Sequence, residues 1–224
     1  MTSSSPDAGE NNAAAVLELL ASRICHDLIS PVGAVNNGVE FLQDMGPDAG
    51  SEAIELIAYS AGQAAARLQA FRLAYGAGGR DPNIKPADVH ETFGELIGPD
   101  GRVKQDWSPA GVDHTQKPQG FCKILMGALM LAAENMPKGG VIRTDFSDPS
   151  AARVVVEGPD AAPRPRMKEA LARALPVAEL DPRLVHAYAL SMIAAQYGFG
   201  LALEQEGESR FAVVIGQSPA NPES

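Results

Sequence analysis

A chain of 224 residues holds one moderate domain or two small ones. Its 45% hydrophobic and 21% charged residues are those of a globular protein, and with only 5% aromatics its core must be aliphatic and alanine-rich. A formal net charge of −10 repels other polyanions, which argues against nucleic acid and anionic membrane as general partners.

Residues 1–11 are rich in Ser, Pro, Gly and Asn and read as a disordered N-terminus; with no basic region and no apolar run, they do not read as a signal peptide. From 12 to 44 the pattern is helical, with Leu17, Ala21, Ile24, Leu28, Val35 and Leu42 on one stripe. "MGPDAGS" is a turn, and a second helix follows over 51–75 on Ile54, Ile57, Ala61, Ala64, Leu68 and Tyr75. The two make an antiparallel hairpin spanning 12–76. Residues 77–85 read as a linker. From 86 to 217 the pattern becomes mixed, with helices near 86–97, 118–135, 165–174 and 182–197. Strands are expected near 102–107, 140–146, 153–157, 199–205 and 210–216. Residues 218–224 read as a disordered tail. The fold class is therefore α+β.

A single hairpin cannot bury its apolar faces, and the rest of the chain offers no second one. A homodimer sharing a four-helix bundle is expected. No stretch approaches the roughly 20 uninterrupted apolar residues of a membrane span. Cys25 and Cys122 lie in different predicted helices without metal-like spacing, which points to a reducing, cytoplasmic setting. Cys25 reads as a packed bundle residue, and His90, His114 and His186 have no motif around them.

The first helix carries an oddity, "HDLISPV". At about 100° per residue, His26 points away from the apolar stripe. It shares its face with Leu19, Ser22, Arg23, Ile29, Ser30, Gly33, Asn37 and Glu40, a small, polar or singly apolar surface that another molecule could approach closely. Pro31 follows five residues on; its ring crowds the Asp27 carbonyl and it has no N–H to give it. A neutral imidazole is a competent nucleophile. Asp27 beside it can fix the tautomer by accepting from one ring nitrogen, leaving the other free.

The stretch "HDLISPV" resembles the H-box of the dimerisation and phosphotransfer domain of sensor histidine kinases. It departs from that box at Ile29, where a basic residue is common. The second half resembles the same family's Bergerat-type (GHKL) ATPase domain. In "KILMGALMLAAENMPKGGVIRTDF" the Pro137–Gly140 "PKGG" is present, but Gly127 and Leu131 stand at the two asparagine positions. Leu131 has no atom to coordinate magnesium. In "RVVVEGPDAAPRP" only Glu157, Gly158 and Pro159 remain of the adenine-binding motif, and "DPRLVHAYA" has no glycine where a phosphate-holding loop would be. An intact phosphoacceptor box beside a degenerate ATPase-like α/β sandwich is similar to the ChpT family of histidine phosphotransferases, known from alphaproteobacterial phosphorelays.

The resemblance implies a dimer that accepts a phosphoryl group on His26 from the receiver domain of a hybrid histidine kinase. It then passes the group to the receiver aspartate of a response regulator (CtrA-like), without ATP. Asp27 would orient the imidazole. Arg23, Ile29, Ser30, Gly33, Asn37 and Arg72 would meet the partner; Arg72 enters because the level of His26 in the hairpin falls near residues 69–72. The chain needs no cofactor of its own, since the partner receiver supplies Mg2+. Two rivals are an active ATP-dependent kinase core and a non-catalytic dimeric scaffold that binds receivers. A metal-binding bundle is a distant third.

Overall fold

The computed structural model describes residues 7–46, 50–76, 84–112, 118–148 and 151–217. Two long helices, α1 (Asp7–Met45) and α2 (Gly50–Tyr75), form the antiparallel hairpin. Helix α1 begins ahead of the expected position 12, and the alanines 13–15 favour helix strongly. It runs through Pro31 without ending there. Residues 1–6 and 218–224, and most of the linker (77–83), lie outside the described residues.

The two hairpin helices approach closely at Gly38, where a Cβ would stand 2.5 Å from Cγ1 of Ile57. The buried stripe of α1 is Val16, Leu20, Pro31 and Gly38. It is rotated about 60° from the stripe expected around Leu17. Leu17 is 67% exposed and Ala21 is exposed, with Ile24, Leu28, Val35 and Leu42 half-buried at the margin. On α2, Ile54 and Leu68 are likewise exposed, while Ala53, Ser60 and Ala64 face α1. Each helix thus carries a second apolar strip beside the one it uses within the hairpin.

The remaining elements are α3 (Pro86–Ile97), β1 (Val103–Gln105), α4 (Phe121–Ala133), β2 (Gly140–Asp145), β3 (Ala151–Glu157), α5 (Met167–Leu171), α6 (Val185–Gln196), β4 (Phe199–Gly207) and β5 (Arg210–Gln217). The strands form one sheet in the order β1-β2-β3-β5-β4, parallel between β1 and β2 and antiparallel elsewhere. The chain enters β2 through Gly139, at a left-handed φ of 78°, and Gly140. A Cβ on Gly139 would lie 2.2 Å from the Arg102 carbonyl oxygen, and one on Gly140 would lie 2.3 Å from that of Glu157, so "PKGG" is a backbone crossing that admits no side chain.

Alternation along the strands gives the sheet two unlike faces. Ile142, Ala152, Val154, Val156, Phe211, Val213 and Ile215 point inward beneath α4 and α6, all buried. The other face carries ion pairs, among them Arg153 with Glu204 and Glu206, and Arg143 with Asp106 and Glu157. The same core takes in Val16 and Leu20 of α1 and Ala70, Phe71, Leu73 and Ala74 of α2, so the base of the hairpin is part of it. The last third of α2 is buried on several sides because α3 and α4 pack there. Among the described residues no helix is long and apolar enough to cross a membrane.

Candidate functional site

His26 stands on α1 with its side chain 89% exposed. Its Nδ1 lies 3.4 Å from Oδ1 of Asp27. When Nδ1 carries the proton it donates to that carboxylate, and the Nε2 lone pair points to solvent, where an electrophile can reach it. Around it Ile29 (69% exposed), Ser30 and Asn37 are open to solvent, and Gly33 has nothing within 4 Å of where a Cβ would be. The open, small-residue surface expected beside His26 is therefore present.

Beneath this surface the contacts depart from expectation. Arg23 is not a free cation facing a partner: its side chain is 17% exposed, and its Nη2 lies 2.8 Å from Oε1 of Glu134, at the end of α4. Its Nη1 donates to the Pro182 carbonyl at 2.9 Å, and its Nε stands 3.9 Å from Oδ2 of Asp27. Arg23 thereby joins the acid beside His26 to the α/β layer.

Glu134, its side chain 20% exposed, is the centre of a largely buried cluster. His186 is fully buried on α6, with Nδ1 2.8 Å from the same Glu134 oxygen, so it is a specific hydrogen-bond partner rather than the ordinary residue expected. Arg164 donates to the Glu134 backbone carbonyl at 3.2 Å. Burial alone would raise the Glu134 carboxyl, but the positive field of His186, Arg23 and Arg164 outweighs it and holds the group below its ordinary value. Tyr75, from the end of α2, packs edge-on against His186 with ring centres 5.7 Å apart. Burial first, and then the nearby Glu134 charge, push its hydroxyl well above the usual tyrosine range.

The neighbour of Asp27 from the other helix is Arg67. Its Nη1 donates to the Asp27 backbone carbonyl at 2.7 Å. In an unbroken helix that carbonyl would accept from residue 31, but residue 31 is a proline. Arg72, the residue expected at this level, instead bonds Gln69 at 3.1 Å and faces a groove between α2 and α3 lined by Ile84, Asp88 and Glu91. A separate cavity of about 320 Å³ lies between the hairpin and the α/β layer, bordered by Arg23, Asp27, Arg67, Asp100, Met130 and Glu134.

Arg67 and Glu134 were missed in the sequence, although Pro31 itself announces an Asp27 carbonyl in need of a donor. Cys25, expected to pack in a dimeric bundle, is exposed and free in the single chain. Cys122 is half-buried, and burial raises its thiol to about 11. His90 packs edge-on against Trp107 at 4.8 Å, and His114 lies outside the described residues.

A solvent-facing imidazole on a helical hairpin, with an acid at its side and an α/β layer locked behind it, is the arrangement of a histidine phosphotransferase. Comparisons with known proteins agree. The family model for the histidine phosphotransferase C-terminal domain matches residues 86–209. A curated relative, protein phosphotransferase ChpT of Brucella abortus (strain 2308), is 34% identical over 194 residues, covering 85% of this chain and 90% of the relative. A solved bacterial phosphotransferase structure superposes with a TM-score of 0.69 at 28% identity, covering 96% of this chain and 98% of that one. The chain belongs to the ChpT-type histidine phosphotransferase family.

Proposed function

We propose that this chain is the histidine-borne intermediate of a cytoplasmic phosphorelay, with His26 as its phosphoacceptor. The observation that carries this is the exposed His26 with its acid partner Asp27. A receiver domain of a hybrid kinase presents an aspartyl phosphate together with its own Mg2+. Nε2 of His26 attacks phosphorus, the N–P bond forms as the acyl O–P bond breaks, and the aspartate leaves as carboxylate. Nδ1 keeps its proton, and Asp27 offsets the positive charge that the ring acquires. A response-regulator receiver then takes the group by the reverse chemistry on its own aspartate. The work required of this chain is in-line positioning and an open approach.

The apolar strips left uncovered on both hairpin helices support a dimer. Leu17, Val32 and Val39 on α1 and Ile54 and Leu68 on α2 are exposed, and a second hairpin laid against them completes a four-helix bundle.

Phosphotransfer without ATP is supported by what occupies the kinase-like positions. Leu131 is 1% exposed within the core. At Gly127 even a Cβ would come 2.4 Å from Cδ1 of Leu190, so an asparagine there would collide with α6. The segment ahead of α6 is held against α1 by the bond from Arg23 to Pro182. An active kinase core, the main rival, needs all three places open.

The test is transfer from a phosphorylated receiver to the purified chain, run beside an incubation with ATP and Mg2+. Label appearing on His26 from the receiver and none from ATP is the expected outcome. Labelling from ATP would favour the kinase, and no labelling from cognate receivers that do bind would favour the scaffold.

A further inference from the structure

We propose that Arg67 is a positioning residue for His26, acting through the Asp27 backbone carbonyl that Pro31 deprives of its helical donor. The relevant contacts are few and local. Pro31 lies inside α1, so the carbonyl four residues earlier loses its main-chain partner. That carbonyl belongs to the residue directly after His26. The Arg67 guanidinium, coming from α2, donates to it at 2.7 Å. A charged donor across the hairpin has replaced a neutral donor within the helix, and such bonds are the stronger kind.

The replacement has a geometric effect. An in-helix bond would tie the His26 turn only to the next turn of α1. The Arg67 bond ties it to α2 instead, and Arg23 ties the Asp27 side chain to Glu134 on the α/β layer. The backbone that carries His26 is thus held from two directions while the imidazole itself stays open. Arg67 does not need to touch the phosphoryl group for this role, which separates it from an arginine that neutralises the transition state.

The role rests on the phosphotransfer function proposed above, and a four-chain cycle tests it: wild type, Arg67→Ala, Pro31→Ala and the double variant. Pro31→Ala restores an N–H that can serve the Asp27 carbonyl, so it makes Arg67 redundant. Single-turnover transfer from a phosphorylated receiver is measured across receiver concentrations, with urea midpoints for all four chains. Arg67→Ala is expected to lower the maximal rate about tenfold, the size of one lost charge-assisted bond, with half-saturation unchanged. In the Pro31→Ala background the same substitution should change the rate less than about twofold, and the loss in urea midpoint should shrink in parallel.

An equal loss of rate in both backgrounds would mean that Arg67 acts on phosphate or receiver directly, and the inference would be wrong. Unchanged transfer by Arg67→Ala, or an inactive Pro31→Ala chain, would also overturn it, since an in-helix donor would then fail to substitute. A wild-type chain that accepts nothing from the receiver would instead sink the proposed function, while the urea cycle would still report whether the bond exists.

Discussion

Nη2 of Arg23 and Oε1 of Glu134 lie 2.8 Å apart, joining α1 one turn before His26 to the end of α4. His186 closes on the same oxygen from α6. This shared anion is the most concentrated polar element of the core, and its loss should be felt throughout the molecule.

Replacing Glu134 by Gln keeps the shape but leaves Arg23 and His186 without their carboxylate. A loss of about 3 kcal/mol in urea unfolding is expected, the usual cost of breaking a buried pair from one side. Because the folded carboxyl is held below its ordinary value, its stabilisation is present above the unfolded value of about 4.3. It is lost as pH falls through the lower folded value. Urea midpoints measured through the acid range should show this loss in the wild type and little of it in Glu134→Gln.

His26→Ala should abolish phosphoryl acceptance while changing stability by less than about 0.5 kcal/mol, since the removed ring is solvent-exposed. Asp27→Asn should accept more slowly, because an amide neither fixes the tautomer as well nor balances charge on the phosphorylated ring. Rapid-quench transfer separates the two. His186→Ala is the useful contrast, with its main loss in the unfolding midpoint and His26 still accepting label.

Val39→Glu and Leu68→Glu place charge on exposed apolar strips of the hairpin without touching its internal contact. Light scattering should give a dimer for the wild type at micromolar concentration and a monomer of normal helicity for either variant. A wild-type monomer would refute the bundle.

Calorimetry with ATP and Mg2+ should show no heat of binding at physiological nucleotide concentration. Leu131→Asn alone should not create a site, because Gly127 remains packed on Leu190 and the segment at Pro182 remains tied to Arg23. Micromolar affinity in the wild type would overturn this.

Local patterns in the sequence carried most of the fold. Helix α3 lies at 86–97 as its periodicity predicts, and the "PKGG" crossing sits at the head of β2. His26 and its acid were legible because their spacing to Pro31 lies within a single helix. Arg67 and Asp27 stand 40 positions apart, and Glu134 and His186 stand 52 apart, so nothing local marks them as partners. The apolar stripe of α1 was misplaced for a related reason. Leu17 is a larger aliphatic than Gly38, yet Gly38 makes the contact and Leu17 is left outside. Size and periodicity identify which residues want cover, but the approach of the two backbones decides which of them receive it first.

The exposure of His26 has a consequence for how long a message lasts. An imidazole 89% exposed to bulk water would give a phosphorylated ring little shelter, so among the described residues none covers it against hydrolysis. Desolvation has to come from whichever domain covers the ring. In the relay proposed above, donor and acceptor would need that same small platform and exclude each other, so transfer would proceed by exchange of partners. Its lag and its leakage would then be set by how fast one receiver departs and the next arrives, making receiver abundance the control variable of the signal.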